Sequence, residues 1–327
     1  VGFNSLTANT SGEKNTGVGS GTLALNTTGE KNVAVGYVAL EANTSGNQNT
    51  AVGEEALADN TTASGNTAVG AEALKVCQSG HSNSAVGNFA LQDLTTATNC
   101  TGIGKSAGAD ITTGASNVAV GSFSLLATTT SANNTAVGVS ALTAVTTGNG
   151  LNTGIGVQAG ADVTTGVNNL LLGFNAGRGS APSGEISTAS NVICLGNNSI
   201  TAAHVKVAFT TGSDRRDKTD IEDFKFGLDW INKMRPVTYR WDNRDWYENG
   251  TPDGSKKASQ LELGLIAQEE LEIEKEFGFA DTKENMLISS VNPSGSYGMK
   301  YERIVPVLIN AIKELSAKVT ALILFIQ

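Results

Sequence analysis

The 327-residue chain predicts a β-solenoid, a β-roll with a 17-residue period, followed by an α+β domain that ends in a coiled-coil helix. The first observation behind this is a glycine at positions 2, 19, 36, 53, 70, 87, 104, 121 and 138, always 17 residues apart. A fixed period of this kind is the mark of a repeat architecture. The second is a change of composition. Residues 1–205 hold 5 Lys/Arg and 11 Asp/Glu, whereas residues 206–327 hold 17 and 20, together with all three tryptophans. The third is a terminal apolar series spaced alternately by three and four residues, which is the seam of a coiled coil.

Within the repeat the consensus reads Asn-Thr-Ala-Val-Gly-x-x-Ala-Leu, as in Asn49 to Leu57 and Asn66 to Leu74, and a Thr/Ser/Gly-rich turn follows. Side chains alternate across a strand, so Thr and Val share one face while Asn and Ala share the other. The Val/Ile series (Val18, Val35, Val52, Val69 and onward to Ile155 and Leu172) is expected to form a buried column. The Ala/Gly series opposite is narrow enough for a second backbone to approach. A Leu series (Leu23, Leu40, Leu57, Leu74, Leu91, Leu125, Leu142) adds another apolar stripe. The recurring Gly allows a corner with positive φ, and the Asn is placed for an internal amide ladder. Thr-Thr pairs such as Thr27-Thr28 and Thr112-Thr113 form an outer hydroxyl column, which a ligand-facing surface or plain turn chemistry would both explain. With Gly156, Gly173 and Gly196 the series amounts to about 12 coils in residues 1–205. A coil this short buries little alone. One stripe is therefore expected to stack within the chain and another against neighbouring chains.

Composition narrows the function. A net charge of −9 argues against a nucleic-acid partner, because such a face needs clustered cations. No apolar run reaches ~18 residues, so no membrane insertion is expected. Val1-Gly2 reads as the end of a unit already under way, which makes a longer protein the expectation. Cys77, Cys100 and Cys194 are odd in number and share no ligand spacing, and His81 and His204 are isolated, so neither metal nor cofactor is expected.

Between the repeat and the charged part, residues 206–212 form the junction, where the alternation from His204 to Phe209 predicts a last strand. Ser213-Asp214-Arg215-Arg216-Asp217-Lys218 then sets a hydroxyl and an amine five residues apart. A Ser hydroxyl attacks a carbonyl only when a base takes its proton, and a Ser-Lys arrangement is a known variant of that constellation. The lysine must be neutral for this, a condition that burial at an assembled interface, or the adjacent Arg215 and Arg216, would favour. The plainer alternative is that Ser213-Asp214 caps a helix or turn. Near the C-terminus a helix is expected from about Arg303, with Pro306 in its first turn. Its seam is Val305, Leu308, Ile312, Leu315, Val319, Leu322 and Ile326, a pattern open to a dimer as well as a trimer.

Further motifs stand in order behind Ser213: Phe226 to Ile231, Met234 to Trp241, Gly264-Leu265-Ile266-Ala267-Gln268-Glu269, and Tyr301 to Leu315. Together they make residues 213–327 resemble the intramolecular chaperone domain (peptidase family S74, endosialidase type) that closes phage tailspikes and tail fibres. Glu270 departs from the family, which often has Val there, and the polar loop over residues 242–258 is long. The resemblance implies trimerisation, then self-cleavage between Gly212 and Ser213, with Ser213 as nucleophile and Lys218 as its assistant. The repeat unit is similar to the left-handed β-roll heads of trimeric autotransporter adhesins, although its period is longer and the likeness covers only the core of the unit.

The function expected from these readings is structural. A homotrimeric fibre of a phage or phage-like particle is assembled in the host cytoplasm and carried on the virion, with a host receptor or glycan as a partner it could take. It would be a peptidase once, on itself, with no turnover activity. The alternative is a surface-displayed trimeric adhesin head. A polysaccharide depolymerase would need paired carboxylates facing a groove, and the repeat offers few acids.

Overall fold

The computed structural model describes residues 1–148, 150–206, 209–292 and 295–326. The chain divides into two compact units between Ile200 and Thr201.

Unit one is a parallel β-solenoid. Eleven strands of three residues, from β1 (Thr16–Val18) to β11 (Ile193–Leu195), pair in chain order in a single parallel sheet. Each strand lies in register with its counterpart one repeat on, so Ala51 faces Ala68 and Val52 faces Val69. One residue of every strand points inward, and it is the central one: Ala or Gly in most strands, Leu171 in the tenth and Cys194 in the last. Ala34, Ala51, Ala68, Ala85, Ala119, Ala136 and Leu171 are fully buried.

This reverses the facing expected of the Val/Ile series. Val18, Val52, Val69, Val86, Ile103, Val137 and Ile155 lie outside, between 36% and 45% exposed. The cause is steric. The inward strand position lies beside the Leu column, whose members Leu23 to Leu142 are all fully buried, and has room there only for a small side chain; branched residues enter the core elsewhere in the coil, as Leu94, Ile111 and Val145 do. The alanine takes the tight position and the valine is left on the surface.

Three backbone devices close each coil. The recurrent glycines hold φ from +106° to +142° between Gly19 and Gly173 and stack so closely that Gly70 Cα, given a Cβ, would place it 2.5 Å from the Gly87 carbonyl oxygen. The buried leucines sit in the left-handed region, with φ of 51° at Leu57 and 50° at Leu74. Asparagine side chains then form two internal ladders. In one, Asn49, Asn66 and Asn83 each accept, on their side-chain oxygen, the backbone N–H one coil further on (2.9–3.0 Å). Their amide nitrogens donate to the carbonyls of Ala63, Gly80 and Ala97. In the other, Asn26, Asn43 and Asn60 each donate to the Asn one coil before, at 2.7 Å. The outer Thr column is turn chemistry as well, since Thr27, Thr44, Thr95, Thr112 and Thr129 donate their hydroxyls to carbonyls one coil on.

The cysteines occupy ladder and core positions. Cys77 stands one period beyond Asn60, Cys100 one period beyond Asn83, and Cys194 in the centre of β11; all three are free and buried. Burial pushes the Cys77 thiol up to about 11 and raises Cys100 too, which suits inert filling.

Unit two is a small α+β body. Helix α1 (Leu228–Lys233) is followed by an antiparallel pair, β12 (Val237–Tyr239) and β13 (Glu262–Gly264). Then come α2 (Ala267–Glu276), a second antiparallel pair, β14 (Ser289–Val291) with β15 (Tyr297–Met299), and α3 (Ile304–Ile326). The strand expected from His204 to Phe209 includes Val207 and Ala208, which lie outside the described residues; the described residues of the stretch form no strand. Trp230 is fully buried and stacks on Phe277 at 4.8 Å, with Phe224, Phe226 and Phe279 around it. Helix α3 buries Val307 and Ala311 against this core, and its Glu314 carboxylate accepts the Leu228 N–H at the start of α1 (3.0 Å).

Candidate functional site: the Ser213–Lys218 turn

A single 3-10 turn, Arg215–Asp217, separates Ser213 from Lys218. Asp214 precedes it and Lys218 follows it, both in extended backbone conformation. The chain therefore folds back on itself over six residues, and Lys218 Nζ donates to Ser213 Oγ at 2.6 Å. Both side chains are exposed, as are Gly212 and the rest of residues 209–223. A Cβ placed on Gly212 would meet nothing within 4 Å, so the Gly212–Ser213 peptide bond is sterically open.

The two arginines differ. Arg215 is exposed on the turn, while Arg216 forms a fork with Asp214, its Nη2 reaching Oδ2 at 2.6 Å and its Nε reaching Oδ1 at 3.1 Å. Asp214 Oδ1 also accepts the Arg216 backbone N–H at 2.9 Å and thereby caps the turn. The guanidinium holds the Asp214 carboxyl below the usual carboxylate range and is itself raised in return. Asp214 is thus a cap, as the plainer sequence reading has it, while Ser213 is turned toward the lysine.

Further along the chain, two other motifs meet. Tyr301 at the foot of α3 accepts the Leu265 N–H on its hydroxyl (3.0 Å). A Cβ on Gly264 would fall 2.7 Å from that hydroxyl, so any larger residue there would have to displace the tyrosine. Two buried acids of α2 have no role in the sequence reading. Glu270 accepts the Trp230 indole N–H (2.8 Å), and Glu274 accepts the N–H groups of Leu287 (2.7 Å), Ile288 (2.9 Å) and Ser289, anchoring β14. The Glu270 position, unusual for an acid, was the one available clue. The seven seam residues of α3, Val305 through Ile326, are all exposed, from 41% at Leu308 to 74% at Ile326.

Among the described residues no group of three or more His, Cys, Asp or Glu is placed to hold a metal ion, and no helix is long and apolar enough to cross a membrane.

The architecture is thus a parallel solenoid followed by a small α+β body that opens on a Ser-Lys pair. Residues 213–279, about a fifth of the chain, match the family model described as the chaperone of endosialidase, peptidase S74. The first matched residue is Ser213. Neither a curated protein nor a solved structure matches the chain. A solenoid followed by this domain fits a tailspike- or fibre-like protein of a phage.

Proposed function

We propose that this chain belongs to a homotrimeric phage or phage-like fibre, and that its chaperone unit brings three copies into register and then releases itself. The carrying observation is the 2.6 Å contact between Lys218 and Ser213 at the first residue of the family match. With the lysine neutral, the same contact takes the hydroxyl proton. Ser213 Oγ then bonds to the Gly212 carbonyl carbon, the Gly212–Ser213 C–N bond breaks, and the released Ser213 nitrogen takes up the proton from Lys218. Water hydrolyses the resulting ester, freeing residues 213–327. Lowering a lysine from ~10.4 to near 7 costs about 4–5 kcal/mol. The turn is exposed in the single chain, so burial between copies is what would supply that, and cutting would wait for assembly.

Two apolar surfaces support three-fold use. The outward Val/Ile column of the solenoid and the seam of α3 are long and apolar, and both repeat at a regular spacing that suits a second and third copy of the same sequence. An adhesin head reading draws less support, because the Thr hydroxyls that would face a ligand are engaged with neighbouring carbonyls. A virion location, a host receptor and assembly in the host cytoplasm belong to the fibre reading.

A denaturing gel of the expressed chain beside Ser213→Ala and Lys218→Ala tests it. Wild type is expected to yield fragments 1–212 and 213–327, and both variants a single intact band. Intact wild type would leave a trimerisation domain without scission, and a Lys218→Ala chain that cuts normally would remove lysine as the base.

A further inference from the structure

We propose that Asp214 is a positioning residue for the self-cleavage, its carboxylate cap on the 215–217 turn being what holds Lys218 Nζ on Ser213 Oγ. This rests on the Ser-Lys reading above.

Every residue from Phe209 to Glu222 is exposed in the described structure, so no packing within the unit fixes this segment. The turn has two backbone hydrogen bonds of its own, Asp217 N–H to Asp214 O at 3.3 Å and Lys218 N–H to Arg215 O at 3.2 Å, both long. An isolated turn of three residues held by two such bonds is weak. The short contacts are those of the Asp214 carboxylate: 2.9 Å from the Arg216 backbone N–H, and 2.6 Å from the Arg216 guanidinium. An ordinary exposed ion pair contributes little. Here the same carboxylate also closes the backbone, and its anchor points lie between the nucleophile and its base. Ser213 precedes the cap directly, and Lys218 leaves the turn as its C-terminal neighbour, so the cap sets the span between them. Without it the 213–218 loop samples open conformers in which Nζ and Oγ are apart, and reaction proceeds only from the closed fraction.

Asp214→Ala and Asp214→Asn separate cap from charge. Both remove the carboxylate that faces Arg216, but asparagine caps as well as aspartate does. The full-length chain is followed by gel in single-turnover time courses from pH 6 to 10, with light scattering alongside. We expect Asp214→Ala to cut about tenfold more slowly than wild type at the plateau of the profile, and Asp214→Asn to lie within about threefold of wild type. The two variants should share one pH midpoint and assemble like wild type. Asp214→Ala at the wild-type rate, or Asp214→Asn as slow as Asp214→Ala, overturns the proposal. So does a slowed Asp214→Ala chain that no longer assembles, since the residue would then act through assembly. Wild type that stays intact at every pH fails differently: it removes the Ser-Lys reading on which the proposal stands.

Discussion

Gly70 shows how tightly single positions are specified in the solenoid. Its φ of +135° is open to glycine and strained for any other residue. The next coil's Gly87 carbonyl carbon lies 2.6 Å from where a Cβ would stand. Gly70→Ala should therefore combine backbone strain with a backbone clash, at a cost of roughly 2–5 kcal/mol. A guanidinium melt followed by far-UV circular dichroism should show the solenoid transition move to lower denaturant, and an unchanged midpoint would contradict the close stacking. The glycine corners and the apolar leucine stripe were legible in the sequence, because both follow from period and residue type. The facing of Val and Ala was not. Alternation separates two faces but does not say which is inside, and hydrophobicity alone favours the larger residue. The room left beside the buried leucine decides for alanine, and that room is a property of the closed loop.

At the level of elements, the internal amide ladder was legible from the Asn recurring at the start of each unit. The second ladder, at Asn26, Asn43 and Asn60, lies in the turn that reads simply as polar. Its end is visible in the structure. Asn60 has no partner on its side-chain oxygen where Cys77 replaces the next asparagine. The α2 helix carries the reverse case, a buried acid where an apolar residue would pack. Burial raises the Glu270 carboxyl, opposed by the Trp230 indole and aided by Glu274 one turn on. A raised folded value means that its contribution to stability is complete below the ordinary carboxylate value of ~4.3 and is lost as pH rises through the folded value. Glu270→Gln keeps an acceptor for Trp230 and removes the charge. It should raise the melting temperature of the C-terminal unit by a few degrees at pH 8, about 4 °C per kcal/mol for a domain between the 60–100 and 150–250 residue classes. The gain should shrink toward pH 4. A calorimetric gain independent of pH would argue against a buried ionised carboxylate. The motif order from Phe226 to Tyr301 announced this body correctly, while the contact of Tyr301 with Leu265 needed the fold to bring residues 36 apart together.

For the molecule as a whole, the seam of α3 carries the argument for assembly. Ile312 is 65% exposed on a helix whose opposite side is already held by Val307 and Ala311. Ile312→Asp should leave unit two folded, because the residue makes no part of its core, but should prevent copies from joining. Light scattering should then report a single chain, and the gel an uncut one. Scission by a demonstrably monomeric Ile312→Asp chain would separate cutting from assembly. The Ser-Lys spacing was legible from the start. Its closed geometry was not, since a side-chain cap on one short turn decides whether residues five apart meet.

The parallel sheet also tolerates coils of unequal length. Thr135 pairs with Thr153 across an interval of 18 residues, and Leu170 with Ile193 across 23, yet the strands remain aligned with their neighbours. Surplus chain is taken up in the turns, leaving the ladder positions in line. Whole coils could therefore be gained or lost with every remaining strand still aligned, as on a ruler that keeps its graduations at any length.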